Sequence, residues 1–154
     1  MDPRAQRLEL PEGYGKPAKT LKWAAVRARL EESRQYWLAT SRPDGRPHVV
    51  PIDGVWLDDA WFFGGSPQTV HHRNLEQNPQ AIVHLPDGAG RGRRGEATWV
   101  TPPAELAQRL AEGAAKYGYG TDAASYASGL WVLHPKRVLA WTAFPRDATR
   151  FLFT

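Results

Sequence analysis

The stretch Ser66–Asn74, SPQTVHHRN, carries the side chains in this sequence best suited to holding an anion. Polar Gln68–Asn78 reads as a short helix that stops before Pro79. Ser66 and Thr69 offer hydroxyls at its start, and the first helical turn offers backbone N–H groups with no intrahelical partner. Arg73 either adds to that site or is an ordinary solvated helix residue. His71-His72 raise the question of a metal, but neighbours on a helix point about 100° apart and cannot serve one ion. His48, His84 and His134 are dispersed, no HExxH occurs and there is no cysteine, so zinc is not expected. GxSxG, P-loop and dinucleotide fingerprints are also missing. Asp53 stands on an otherwise apolar stretch beside Gly54, where a turn or bulge is its expected role. A chain with no acid–base constellation suits redox chemistry, in which a cofactor carries the reaction and the protein supplies position and dryness.

The elements that must position these residues follow from pattern. Tyr36–Thr40 is apolar and aromatic and reads as a strand, Pro43-Asp44-Gly45 as a turn, and His48–Leu57 as a β-branched second strand. Asp58-Asp59 marks the next reversal and Ala60–Gly64 a third strand. Ala81–Leu85 and Glu96–Thr101 are the fourth and fifth, with Ala89–Arg94 between them expected as a surface loop or degraded edge strand. Leu130–His134 and Arg137–Thr142, joined through Pro135-Lys136, are the last two. Thr20 is placed to cap a helix running to about Ser33 with Trp23, Val26 and Leu30 on one face. Pro102-Pro103 opens another with Leu106, Leu110, Ala114 and Tyr117 on one stripe, followed by a Tyr117-Gly-Tyr-Gly loop. Short, regularly spaced strands with a few helices predict an antiparallel barrel. Residues 1–17, broken by prolines and glycines, are expected as an irregular arm before a single domain over 18–154.

At 154 residues the chain has room for one proper core. No apolar run is long enough to span a bilayer and the N-terminus does not read as a signal peptide, so a cytoplasmic location is the expectation. The net charge of +4 is dispersed apart from Arg91-Gly92-Arg93-Arg94, which argues for solubility rather than nucleic-acid binding. Seven tryptophans exceed what a small core needs and point to an interface as well.

TSRPDGRPHVVP (Thr40–Pro51), Gly64-Gly65, RNLEQNP (Arg73–Pro79) and AWTAFPRDATRF (Ala140–Phe151) occur in an order and spacing that resembles the pyridoxamine 5′-phosphate oxidase-like split-barrel family. The resemblance implies a mainly β, antiparallel split β-barrel that pairs as a homodimer with cofactor sites at the interface. It also implies FMN or the deazaflavin F420, and hydride transfer between the reduced cofactor and a small organic substrate. Residue usage typical of high-GC genomes tilts the cofactor choice slightly toward F420 by association alone. His48, Val49, Val50, Pro51 and Ile52 would lie along the cofactor ring, and Ser66, Thr69, His71, Arg73 and Asn74 would take its phosphate end. His71 stands where relatives commonly carry lysine, which weakens the case for a phosphate. The alternative is a split barrel that holds flavin or haem without turnover. Trp131, Trp141 and Phe151–Phe153 are the candidates for interface burial, with Phe151 and Phe153 alternating as a short docking strand.

Overall fold

A computed structural model describes residues 1–86 and 92–154. Among them, nine strands build one antiparallel sheet: β1 (Arg4–Arg7), β2 (Tyr36–Ser41), β3 (Pro47–Ile52), β4 (Val55–Leu57), β5 (Ala60–Phe63), β6 (Gln80–His84), β7 (Gly92–Val100), β8 (Leu130–Ala140) and β9 (Thr149–Leu152). Three helices accompany them: α1 (Trp23–Glu32), α2 (Val70–Gln77) and α3 (Ala104–Ala114). The strand order is β1-β9-β8-β7-β6-β2-β3, while β5 pairs with both β8 and β4. One side of β8 is therefore bonded to β7, and the other side is shared. β5 takes Trp131–Leu133 and β9 takes Arg137–Ala140. The mainly β, antiparallel split-barrel expectation holds.

The wall β4–β5–β8 is buried on both faces. Trp56, Trp61, Phe63, Trp131 and Leu133 point into the barrel core with Trp23, Leu30, Tyr36, Leu38 and Phe151. Val55, Phe62, Leu130 and Val132 point the other way, under Leu110 and Ala114 of α3. Two buried faces require apolar residues at every position, which is why Ala60–Phe63 shows no polar alternation. The buried set Trp23, Val26 and Leu30 of α1 is present, whereas α3 buries Ala107, Leu110, Ala111 and Ala114, so the predicted stripe holds at Leu110 and Ala114, with Leu106 partly buried and Tyr117 beyond the helix end.

Several expectations are corrected. The arm is not irregular throughout: Arg4–Arg7 pairs with β9, and Leu8 N–H and Ala18 N–H bond the carbonyls of Ala148 and Arg146. A short, charged segment of this kind is a suitable edge strand, which apolar patterning cannot reveal. Lys22, not Thr20, is the N-cap of α1 and makes no side-chain cap bond. The second strand is interrupted at Asp53-Gly54, as expected of a turn pair, and resumes as β4. Gly92–Arg94 is neither loop nor edge strand; its backbone pairs with β6 on one side and β8 on the other. Residues 87–91, including Arg91, lie outside the described residues. The last two predicted strands are one, because a register shift at Arg94/Gly95 absorbs Pro135-Lys136 as a bulge. Gly95 makes that possible, since a Cβ there would sit 2.3 Å from the His134 carbonyl oxygen.

Trp131 and Phe151 are 5% and 0% exposed within a single chain, so neither is available to an interface. Among the apolar side chains left exposed are Val49, 54% exposed, and Ile82, 44% exposed, which flank Ala39 on the outer face of β3–β2–β6. The C-terminal segment docks as β9, and the buried Asp147 carboxylate fixes the corner before it. That carboxylate accepts from Thr142 N, Ala143 N and the Thr142 hydroxyl. Burial pushes its pKa up, but these hydrogen bonds outweigh burial and hold the group below the usual carboxylate range.

Candidate functional site

Where β3 ends at Ile52 and β5 ends at Phe63, the chain leaves a recess of about 500 Å³. Pro51, Ile52, Asp53, Gly64, Gly65, His71 and Gln35 line it. A volume of this size takes a fused ring system. Among the described residues β3 is paired only with β2, so its second edge keeps unpaired backbone donors and acceptors beside the recess. Alternation places His48, Val50 and Ile52 on the inner face, opposite Thr40, Leu38 and Tyr36, whereas Val49 is on the outer face.

α2 forms the other wall. Thr69 caps it, its hydroxyl accepting from His72 N–H and donating to the Ser66 carbonyl, while the Ser66 hydroxyl accepts from Gln68 N–H. The two hydroxyls expected to face an anion are thus engaged in building the turn. His71 is 6% exposed, and its Nε2 donates to the Gly64 carbonyl at 3.2 Å with Thr69 Oγ1 at 3.4 Å. Gly65 must be glycine here: its φ is +129°, and a Cβ would lie 2.5 Å from His71 Nε2. Burial lowers the His71 pKa from 6.5; the Gly64 hydrogen bond opposes this and the charges of His48 and His72 add to it. His48 is lowered too, by burial and by Arg42, and its Nδ1 is buried with no hydrogen-bond partner. His71 thus lines the recess and His48 stands on the adjoining strand, and burial disfavours the charged form of both rings.

His72 points elsewhere. Its Nδ1 accepts from Trp131 Nε1 at 3.1 Å and its Nε2 faces Glu76 at 3.4 Å, so the two adjacent histidines do not converge. No trio of metal-ligating side chains occurs among the described residues. Asn74 is buried and donates to Thr40 Oγ1 at 3.0 Å, tying α2 to β2. Arg73 is exposed and donates to the Gln68 carbonyl. Around Asn74 and Arg73 a second recess of about 370 Å³ gathers Arg42 and Arg46 as well. The RPDGR turn brings these two arginines to α2; the symmetric flanking of Pro-Asp-Gly was the signal in the sequence, and only the fold shows where it points. Lys116 approaches from the far side, its Nζ donating to Ser33 O, Tyr36 Oη and Glu31 O. Burial brings its pKa down to about 8, with Asp53 opposing.

The model of the pyridoxamine 5′-phosphate oxidase family matches residues 23–142. The chain belongs to this family. A search of curated proteins finds no match. Solved structures agree on the family fold. A conserved hypothetical protein from Mycobacterium tuberculosis is 21% identical, with 80% of this chain and 86% of that one covered and a TM-score of 0.65. HutZ, a heme storage protein from Vibrio cholerae, is 20% identical over 77% of this chain and 93% of its own, with a TM-score of 0.58. An F420 reductase is 23% identical over 87% and 97%, with a TM-score of 0.52. At these identities the likeness is one of family architecture. No helix among the described residues is long and apolar enough to cross a membrane.

Proposed function

We propose that this protein is a flavin- or deazaflavin-dependent oxidoreductase acting on a small organic substrate. The observation that carries the reading is the half-bare strand β3 beside the 500 Å³ recess, with the buried, unpartnered His48 Nδ1 on the same strand. An unmatched buried polar atom and an unpaired strand edge both fit a flat heterocycle with hydrogen-bonding edges. Val50 and Ile52 would offer apolar wall, the free edge of β3 would meet the ring's polar rim, and Gly64-Gly65 let the backbone come close without a side chain. The bound cofactor would supply the hydride chemistry. Its anionic end fits the recess of Arg42, Arg46 and Arg73, where Asp44 already engages Arg46, better than His71, whose Nε2–H is committed to the Gly64 carbonyl and whose charged form burial disfavours.

A second copy is the fitting cover for the outer face that carries Val49 and Ile82, and this would set β3 near the interface. Cytoplasmic location remains the companion expectation. The alternative, flavin or haem held without turnover, draws on His71 at the recess, His48 on the adjoining strand and the lack of an acid–base pair. A visible spectrum of the purified protein, followed by titration with FMN, F420 and haem, separates the readings. Saturable binding of FMN or F420, weakened by Arg42→Ala, supports the proposal. Binding of haem alone, with a Soret band lost in His48→Ala or His71→Ala, overturns it in favour of the alternative.

A further inference from the structure

A second, smaller cavity adjoins the first. It encloses about 200 Å³ between β4–β5 and α3, and it shares Asp53 and Gly64 with the larger recess. Its walls are Val55, Phe62, Leu110, Ala114 and Leu130, all buried apolar residues of the outer core. Its rim is the Tyr117-Gly-Tyr-Gly segment, with the rings of Tyr117 and Tyr119 stacked at 5.7 Å, and Tyr126 from the short turn that follows. A fold that needed only a covered sheet would have closed this space with one larger side chain on α3. Ala114 and Leu110 leave it open.

We infer that this cavity is the substrate side of the site and takes a neutral, single-ring aromatic molecule. The inference rests on the redox reading above for the word substrate, and on the cavity itself for the ligand class. Size sets the first limit. A cavity of about 150 Å³ accepts benzene, so a half-open one of about 200 Å³ accepts one ring with one or two small substituents and leaves a fused bicycle partly outside. Lining sets the second: apolar walls and stacked tyrosines favour a flat ring. Charge sets the third, because Asp53 is the one charged lining residue, and a carboxylate at the mouth repels anions.

The polar contacts are also selective. Tyr117 Oη is committed, donating to Gly54 O at 3.1 Å and accepting from Gly54 N at 2.9 Å. Those bonds fix the rim to the β3–β4 turn, so the two recesses share one wall. Tyr126 Oη makes only a long 3.4 Å hydrogen bond to Leu110 O and can turn toward a ligand hydroxyl or carbonyl. Burial raises the Tyr126 pKa, which keeps it a neutral donor.

Phenol is the probe, followed by saturation-transfer NMR on the protein without cofactor. A Kd on the order of 1 mM is expected, with 2-naphthol binding more weakly than phenol. Ala114→Leu fills the cavity and Thr121→Trp blocks its mouth; each should weaken phenol about tenfold while FMN and F420 titrations stay unchanged. Thr121 lies in a loop, so if Ala114→Leu fails to fold, Thr121→Trp decides. With a binding cofactor present, contacts between phenol and ring protons of the cofactor are expected. Unchanged phenol affinity in the folded variants, or no saturation transfer at about 20 mM phenol, overturns the inference. Failure of both cofactors to bind, with phenol still bound and sensitive to Ala114→Leu, would overturn the redox reading and leave an aromatic-binding cavity.

Discussion

The barrel wall β4–β5–β8, two of whose strands follow β3 directly in sequence, is built in the opposite way to β3. The wall is apolar on both faces and covered on both, by the barrel core and by α3. β3 is half-covered, unpaired along one edge, and carries an exposed valine. A bare strand edge invites unwanted pairing, so a fold that can bury a wall twice over has a reason for leaving the next strand open. The contrast separates residues that hold the barrel together from residues whose exposed edge and side chains the proposed cofactor and second copy would cover.

The strongest way to break this contrast is to truncate one residue on each side. Trp61→Ala removes a fully buried ring stacked on Phe63 at 4.4 Å, and should cost about 3–5 kcal/mol in urea unfolding. Val49→Lys should leave the unfolding of a single chain within about 0.5 kcal/mol. It should, however, shift sedimentation toward monomer if a second copy covers that face. Comparable losses from both substitutions would erase the distinction between wall and open strand.

The glycine pair sharpens it next. Gly65→Ala meets both a positive φ and the His71 ring, and should cost about 1–3 kcal/mol. A Cβ at Gly64 meets nothing within 4 Å, so Gly64→Ala should be nearly silent in stability. If both change cofactor titrations equally while only Gly65→Ala changes the melt, the recess binds through its shape at both positions.

A smaller effect depends on pH. The folded-state pKa of His71 lies below 6.5, so below pH 6.5 the unfolded chain takes up protons that the folded chain refuses. Stability from this group is complete above about pH 6.5 and is lost as pH falls toward the lower folded value. His71→Gln should flatten part of the decline in Tm between pH 7 and pH 5, and His48, lowered in the same direction, should supply the remainder. An unchanged slope in both variants would mean that neither ring is held neutral. The smallest effect belongs to the paired Arg109–Asp58 contact, two 2.7 Å hydrogen bonds on the surface. Arg109→Ala should lower stability only marginally, and less still at high salt.

Much of the frame was legible in the sequence because it depends on local pattern. The PDG turn, the capped helix at Thr69 and the stripe of α3 each declare themselves within a dozen residues. What escaped was decided by pairing between distant segments. Arg4–Arg7 has no strand signature of its own and becomes one only against β9. Gly92–Arg94 looks like a loop until β6 and β8 are set on either side of it. In the site, the turn and helix were readable, but their direction was not. Asn74 and Thr69 turn out to hold the helix in place, while Arg42 and Arg46 swing in from a hairpin that composition marks only as a turn. His71 was expected to face an anion, and its Nε2–H donates to the Gly64 carbonyl.

The pairing of β1 with β9 sets an order of events during synthesis. Arg4–Arg7 is made first, and its partner Thr149–Leu152 is made more than a hundred residues later. The opening strand therefore has to remain unmatched while the barrel assembles, and its polar composition makes that wait safe. Until Phe151 arrives, Trp23 of α1 also lacks the ring it packs against at 5.1 Å. A free chain truncated after Ala140 should carry the helices and the central strands but keep Arg4–Arg7 open to protease. Release of the last segment would close both ends of the fold in one step.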